Sequence, residues 1–123
     1  ANDYIEQQLQ ALTPEIPRIS EESTEQPYEI RQHWDTLWLI DPLDGTRQFI
    51  KNKPDFTVNI ALIHQHKPIL GSIYLPVEKT LYYACDHAGA HKETDQHSSF
   101  FLYSHNKVSS SLIYIFDGCF MYE

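Results

Sequence analysis

The segment Asp41-Pro42-Leu43-Asp44-Gly45-Thr46 sets two carboxylates, a glycine and a hydroxyl at the end of the apolar run Trp38-Leu39-Ile40. Carboxylate and carbonyl oxygens in one tight turn suit a hard cation such as Mg2+. Backbone N–H groups at the start of a following helix suit phosphate oxygens. Asp41 and Asp44 are close enough in the chain for each to disfavour ionisation of the other. A bound cation removes that repulsion.

Phosphoryl transfer asks a protein mainly for positioning and charge neutralisation. Asp41 is placed to hold one metal ion, and Asp44 to bridge to a second. The Leu43 carbonyl adds a third oxygen. Gly45 permits a backbone geometry that a side chain would block. Thr46, at the helix start, offers a hydroxyl to orient water, while the Gly45 and Thr46 N–H groups face the phosphate. Glu21 and Glu22, from a separate segment, complete the metal shell, so that two ions clamp the attacking and leaving oxygens. Asp-Pro and Asp-Gly are also common turn formers, and on spacing alone a purely structural turn carries equal weight. An EF-hand needs acids at alternate positions, which Pro42-Leu43 breaks. The Asp-x-Asp-Gly-Thr pattern of aspartyl-phosphate phosphatases has one residue between its acids; here there are two.

Several elements must position these groups. Ile5, Leu9 and Leu12 recur at helical spacing and predict a helix over 3–12, with Asp3 and Glu6 as a capping box. Pro14 and Pro17 end it. Arg18-Ile19-Ser20 reads as a short extended piece, and 23–35 as an exposed polar loop. Leu37–Asp41 reads as a buried strand and Gly45–Lys51 as a short helix. Phe56–Gln65 is largely apolar on both faces, which predicts an interior strand. Ile69–Leu75 and Thr80–Cys85 follow with short turns, as an antiparallel meander. The aromatic residues at 56, 74, 82 and 83 are expected in the core, and Trp34 and Trp38 in packing roles. From about Asp95 the pattern lapses, and 95–123 is expected to be a divergent tail to a domain over 1–94.

Composition narrows the possibilities. The 123 residues carry a net charge of −8 and 41% apolar residues, which suits one folded domain. Such acidity argues against binding a nucleic-acid polymer, which requires a basic face. No apolar run approaches the roughly 20 residues of a membrane span. Cys85 and Cys119 have no metal-type spacing and read as reduced thiols of a cytoplasmic protein. The seven histidines share no ligand spacing and read as exposed. The chain opens at Ala1 and its only methionine is Met121, so a removed start or a fragment is expected.

Asp41–Thr46 with Phe49-Ile50, and Ser20-Glu21-Glu22-Ser23 upstream, resemble the first signature and glutamate pair of the inositol monophosphatase superfamily of metal-dependent, lithium-sensitive phosphatases. Arg31-Gln32-His33-Trp34, 56–63 and 67–71 resemble its bacterial CysQ-type branch, the 3'(2'),5'-bisphosphate nucleotidases. The resemblance runs from Ala1 to about Glu93. It implies hydrolysis of 3'-phosphoadenosine 5'-phosphate to AMP and phosphate, with an inositol or sugar monophosphate as the alternative substrate. By the same resemblance Glu21, Asp41, the Leu43 carbonyl and Asp44 hold two or more Mg2+ ions. Glu21, Asp44 and Thr46 are then catalytic, Gly45 and Thr46 meet the substrate phosphate, and Li+ inhibits. A homo-oligomer and peripheral association with the inner membrane are also implied.

The implied fold class is α+β: an antiparallel sheet with a helix packed on it, the N-terminal half of a layered α/β/α/β/α sandwich. The family's ligand preceding the first helix and its later Trp-Asp motif have no counterpart in the chain. Weak or no activity is therefore expected of these residues alone, with a non-catalytic remnant as the alternative.

Overall fold

In the computed structural model the described residues are 1–103. Helix α1 (Asn2–Leu12) leads into strand β1 (Arg18–Ser20), the short helix α2 (Tyr28–Arg31), strand β2 (Thr36–Asp44) and helix α3 (Thr46–Ile50). Five strands follow: β3 (Thr57–His64), β4 (Lys67–Leu75), β5 (Thr80–Cys85), β6 (Gly89–Thr94) and β7 (His97–Tyr103). All seven strands form one sheet in sequence order. The β1–β2 pair is parallel and the other pairs are antiparallel, so the sheet is mixed where pure antiparallel pairing was expected. The α+β class holds. None of the described helices is long and apolar enough to cross a membrane.

The expected helix over 3–12 forms, but not through a capping box. No side chain caps α1, because its N-cap is Ala1 and Asp3 lies inside the first turn; Glu6 accepts a hydrogen bond from the Ser23 hydroxyl, a tertiary partner. Asn2 accepts from Ser20 Oγ at 2.6 Å and donates to Ser23 Oγ at 3.2 Å. The first turn of α1 is thus tied to the end of β1 and the loop that carries Glu21 and Glu22. At its other end, Thr13 donates its hydroxyl back to the Leu9 carbonyl and accepts from Trp38 Nε1 at 3.0 Å. Trp38 therefore anchors the helix to β2, in keeping with its expected packing role.

The loop expected over 23–35 contains α2. Pro27 precedes this single turn and pre-sets its entry, while the lack of an apolar stripe hid it from periodicity. The strand expected over Leu37–Asp41 continues through Pro42 and Leu43 to Asp44. Strand β6 is not foreshadowed by the sequence pattern, and β7 continues the sheet beyond Asp95, where that pattern lapses. The remainder of the expected tail, residues 104–123, lies outside the described residues, as does Cys119; the Cys85 thiol is free.

Among the described residues the buried core holds Leu9, Ile40 and a cluster of alanines, not aromatic rings. Ala61, Ala84 and Ala90 are buried together against Leu39 and Ile63. Register explains the grouping: Leu39 pairs with Ala61, Ala61 with Gly71, Gly71 with Ala84, and Ala84 with Ala90, in one row across five strands. Phe56, Tyr82 and Tyr83 are only half-buried and Tyr74 is exposed. Their rings occupy the flanks: Phe56 meets Phe49 edge-on, and Tyr83 stacks on His91. His33, His64, His66 and His87 are exposed as expected.

Candidate active site

Asp41 occupies the middle of a three-strand row. On one side, β1 pairs with β2 through Ser20 and Ile40, and the Glu21 N–H donates to the Ile40 carbonyl at 3.3 Å. That bond extends the parallel ladder by one residue and brings Glu21 beside Asp41. On the other side, β3 places Asn59 directly opposite Asp41. Asp41 is 3% exposed and Asn59 fully buried.

A bulge sets Asp44 relative to Asp41. In a regular strand, residues three apart point to opposite faces. Here Asp41 pairs with Asn59 and Asp44 with Thr57, with the register shifting between them. Two residues, Pro42 and Leu43, therefore lie against the single residue Val58. The extra residue resets the alternation, so both carboxylates face the same way. Pro42 suits the irregularity because it has no N–H to offer the ladder. The Leu43 N–H turns back onto Asp41 Oδ1 at 3.2 Å, and Asn59 Nδ2 donates to Asp44 Oδ2 at 3.3 Å.

The electrostatics follow from this crowding. Burial, then the charges of Glu21 and Asp44, lift the Asp41 carboxyl from 3.8 to about 6. The Leu43 N–H works against the rise, and a hydrogen bond shared with Glu21 adds to it. Asp41 thus interacts with both other acids. As placed, however, no three His, Cys, Asp or Glu side chains among the described residues converge into a ready cage for a metal ion. The donor chemistry nonetheless fits a hard divalent cation: acidic oxygens crowd a carboxyl that holds its proton abnormally well, and a cation relieves the same repulsion.

Beyond the bulge, Gly45 begins α3 at φ 87° and ψ 41°. A Cβ there would lie 2.8 Å from the Asp55 carbonyl oxygen and 3.3 Å from Phe56 Cα. Only glycine combines that conformation with so close a backbone approach. Gly45→Ala is expected to lower stability by about 2 kcal/mol, chiefly through the left-handed conformation, as read by urea denaturation. Thr46 is exposed, and its hydroxyl donates to the Leu43 carbonyl at 3.4 Å. That carbonyl retains a second lone pair. Glu21 and Glu22 are exposed, and the Glu22 N–H reaches Ser20 Oγ at 3.4 Å.

Glu21, Asp41, Leu43, Asp44, Gly45 and Thr46 therefore lie along one path, from the end of β1 to the start of α3. Asn59 was missed, having been read as part of an apolar face. Its signal was present: it is the one amide between Val58 and Ile60 in a strand otherwise apolar from Val58 to Ile63. The Asn2–Ser20–Ser23–Glu6 network was also missed, because its members are scattered along the chain.

The family model of the inositol monophosphatase family matches residues 1–116. The chain is 55% identical over 86 residues to the 3'(2'),5'-bisphosphate nucleotidase CysQ of Salmonella typhimurium, covering 70% of this chain and 35% of that one. Among solved structures, CysQ from Bacteroides thetaiotaomicron matches with TM-score 0.65 and 46% identity, over 72% of this chain and 33% of that chain. An IMPase/NADP phosphatase complexed with Mg2+ and phosphate matches with TM-score 0.67 and 28% identity, over 74% and 34%. The chain spans about a third of the length of the curated relatives it matches. With the signature folded around Asp41 and the match covering nearly the whole sequence, the chain belongs to the inositol monophosphatase family.

Proposed function

We propose that residues 1–94 supply the N-terminal half of a Mg2+-dependent phosphomonoesterase centre whose substrate is 3'-phosphoadenosine 5'-phosphate, cleaved to AMP and phosphate. The observation that carries this reading is the crowding of Glu21 and Asp44 onto the buried Asp41, whose carboxyl they help lift to about 6. The nucleotide substrate is favoured over an inositol phosphate by the 55% identity to a bisphosphate nucleotidase. The 28% identical phosphatase complexed with Mg2+ and phosphate supports the choice of ion.

Glu21, Asp41, Asp44 and the Leu43 carbonyl would hold Mg2+. When bound, the ion neutralises phosphate oxygens and activates water for in-line attack. The chain's own groups do the rest. Asp41 is ionised at neutral pH and available as a ligand, and below about pH 6 it must first release its proton. Glu21, exposed beside it, accepts a proton from the attacking water. Thr46 swings its hydroxyl from Leu43 to orient that water, and the Gly45 and Thr46 N–H groups steady the phosphate at the head of α3. Gly45, by keeping the turn tight, holds these donors near the carboxylates. The site's acidity remains compatible with an anionic substrate because the cation reverses the local charge.

A phosphate-release assay tests the proposal in a chimera carrying residues 1–94 in place of the matching segment of the Salmonella typhimurium relative, alongside the chain alone. The expected result is Mg2+-dependent release from 3'-phosphoadenosine 5'-phosphate by the chimera, inhibited by Li+, with little or none from the chain alone. Preferential release from inositol 1-phosphate would instead favour a monophosphatase. A chimera that folds yet releases phosphate from neither substrate would leave these residues as a non-catalytic remnant.

A further inference from the structure

Asn59 is the one fully buried polar side chain beside the acidic row, and it lies in a strand whose neighbours Val58 and Ile60 are apolar. Asparagine is disfavoured in strands, and burying an amide costs free energy unless it is hydrogen-bonded. An apolar side chain would suit the strand better, so the amide's presence needs a reason beyond packing. Its position supplies one. Asn59 stands directly across from Asp41 in the ladder, yet its Nδ2 reaches past the bulge to Asp44 Oδ2 at 3.3 Å.

We infer that Asn59 is a positioning residue that fixes the Asp44 carboxylate on the Asp41 side of the bulge, so that the two acids can share one cation site. The role rests on the phosphatase reading above. A neutral amide is suited to it for a physical reason. Lysine or arginine would also orient a carboxylate, but would neutralise the charge that attracts the cation. An amide N–H orients one oxygen, leaves the charge intact and leaves other lone pairs available. The bulge turns Asp44 to the Asp41 face, and this contact links its carboxylate to the residue that stands opposite Asp41 in the ladder.

Asn59→Leu in the full chain tests the role, with Asn59→Ala as the second variant should leucine overpack the site. Two measurements are made on each. In titration of the folded protein with Mg2+ alone, the apparent dissociation constant is expected to rise about 10–100-fold, the usual consequence of removing a partner that orients a metal ligand. In the metal-free crystal structure, the Asp44 carboxylate is expected to leave its position beside β3. A lower metal-free thermal midpoint with unchanged Mg2+ affinity would mean that Asn59 only fills space, and would overturn the inference. Should the unsubstituted chain itself bind no Mg2+, the phosphatase reading is decided by the chimera's phosphate release. The positioning role is then decided by the crystal structures alone, and an unmoved Asp44 in the Asn59→Ala protein overturns it.

Discussion

Asp41→Asn makes the metal-free protein more stable at neutral pH while abolishing its response to Mg2+. The first half follows from the sign of the linkage. The Asp41 carboxyl is raised in the folded state, from 3.8 to about 6. A raised acid binds its proton more tightly when folded, so it contributes stability below pH 3.8 that is lost as pH climbs through about 6. At neutral pH both states are ionised, and the folded protein bears the full cost of burying a charge against Glu21 and Asp44. Asparagine removes that charge and can still accept the Leu43 N–H through its carbonyl oxygen. The expected gain is about 1–3 kcal/mol, the upper value being the whole shift converted at 1.36 kcal/mol per pKa unit. Urea denaturation of both proteins from pH 4 to 8 checks it. The stability difference should open between about pH 4 and 6 and stay level above that. A variant less stable than its parent at neutral pH would show that Asp41 is held by favourable contacts and not strained by its neighbours.

Asp44→Asn in the chimera is expected to cut phosphate release by more than about 100-fold, beyond the range seen when only an outer partner of a metal ligand is removed. Asp44 is the acid that the bulge returns to the Asp41 face, so its replacement leaves the row with Glu21 and Asp41 alone. The Asn59 amide would then meet an amide in place of an anion, and the local attraction for a cation falls. Steady-state phosphate release at saturating substrate checks this, with Mg2+ varied to expose any loss of affinity. Turnover within tenfold of the parent would remove Asp44 from the catalytic groups.

Much of the candidate site was legible in the sequence because its groups are local. Asp41, Leu43, Asp44, Gly45 and Thr46 follow one another, and a proline and a glycine mark the turn that joins strand to helix. The periodic elements were equally plain: α1 from Ile5, Leu9 and Leu12, and β3 from its alternating apolar residues. What sequence could not display were relations across the sheet. The bulge that turns Asp44 toward Asp41 is a property of pairing with β3, visible only as Asp41 opposite Asn59 and Asp44 opposite Thr57. Asn59 looked like an interruption in an apolar strand because its partner is fifteen residues away. Glu6 follows Asp3 at capping-box spacing, yet the helix begins at Asn2 with Ala1 as its N-cap, and Glu6 bonds to Ser23. The aromatic residues read as core by hydrophobicity alone, whereas the row Ala61-Gly71-Ala84-Ala90 lets small residues form the tightly buried centre. The parallel β1–β2 pair also escaped notice, since a three-residue strand carries no period of its own. That pair matters, for it brings Glu21 beside Asp41.

Asp41 would be the shared ligand of the cation site, and the pH dependence of Mg2+ binding tests that role most directly. Calorimetric titration of the chain with Mg2+ between pH 5 and 8 should show one proton displaced from Asp41 below about pH 6. The apparent affinity should fall about tenfold per pH unit in that range and level off above it. Binding should disappear in Asp41→Asn. Affinity that is independent of pH, or that survives the substitution, would contradict the assignment of Asp41 to the centre of the site.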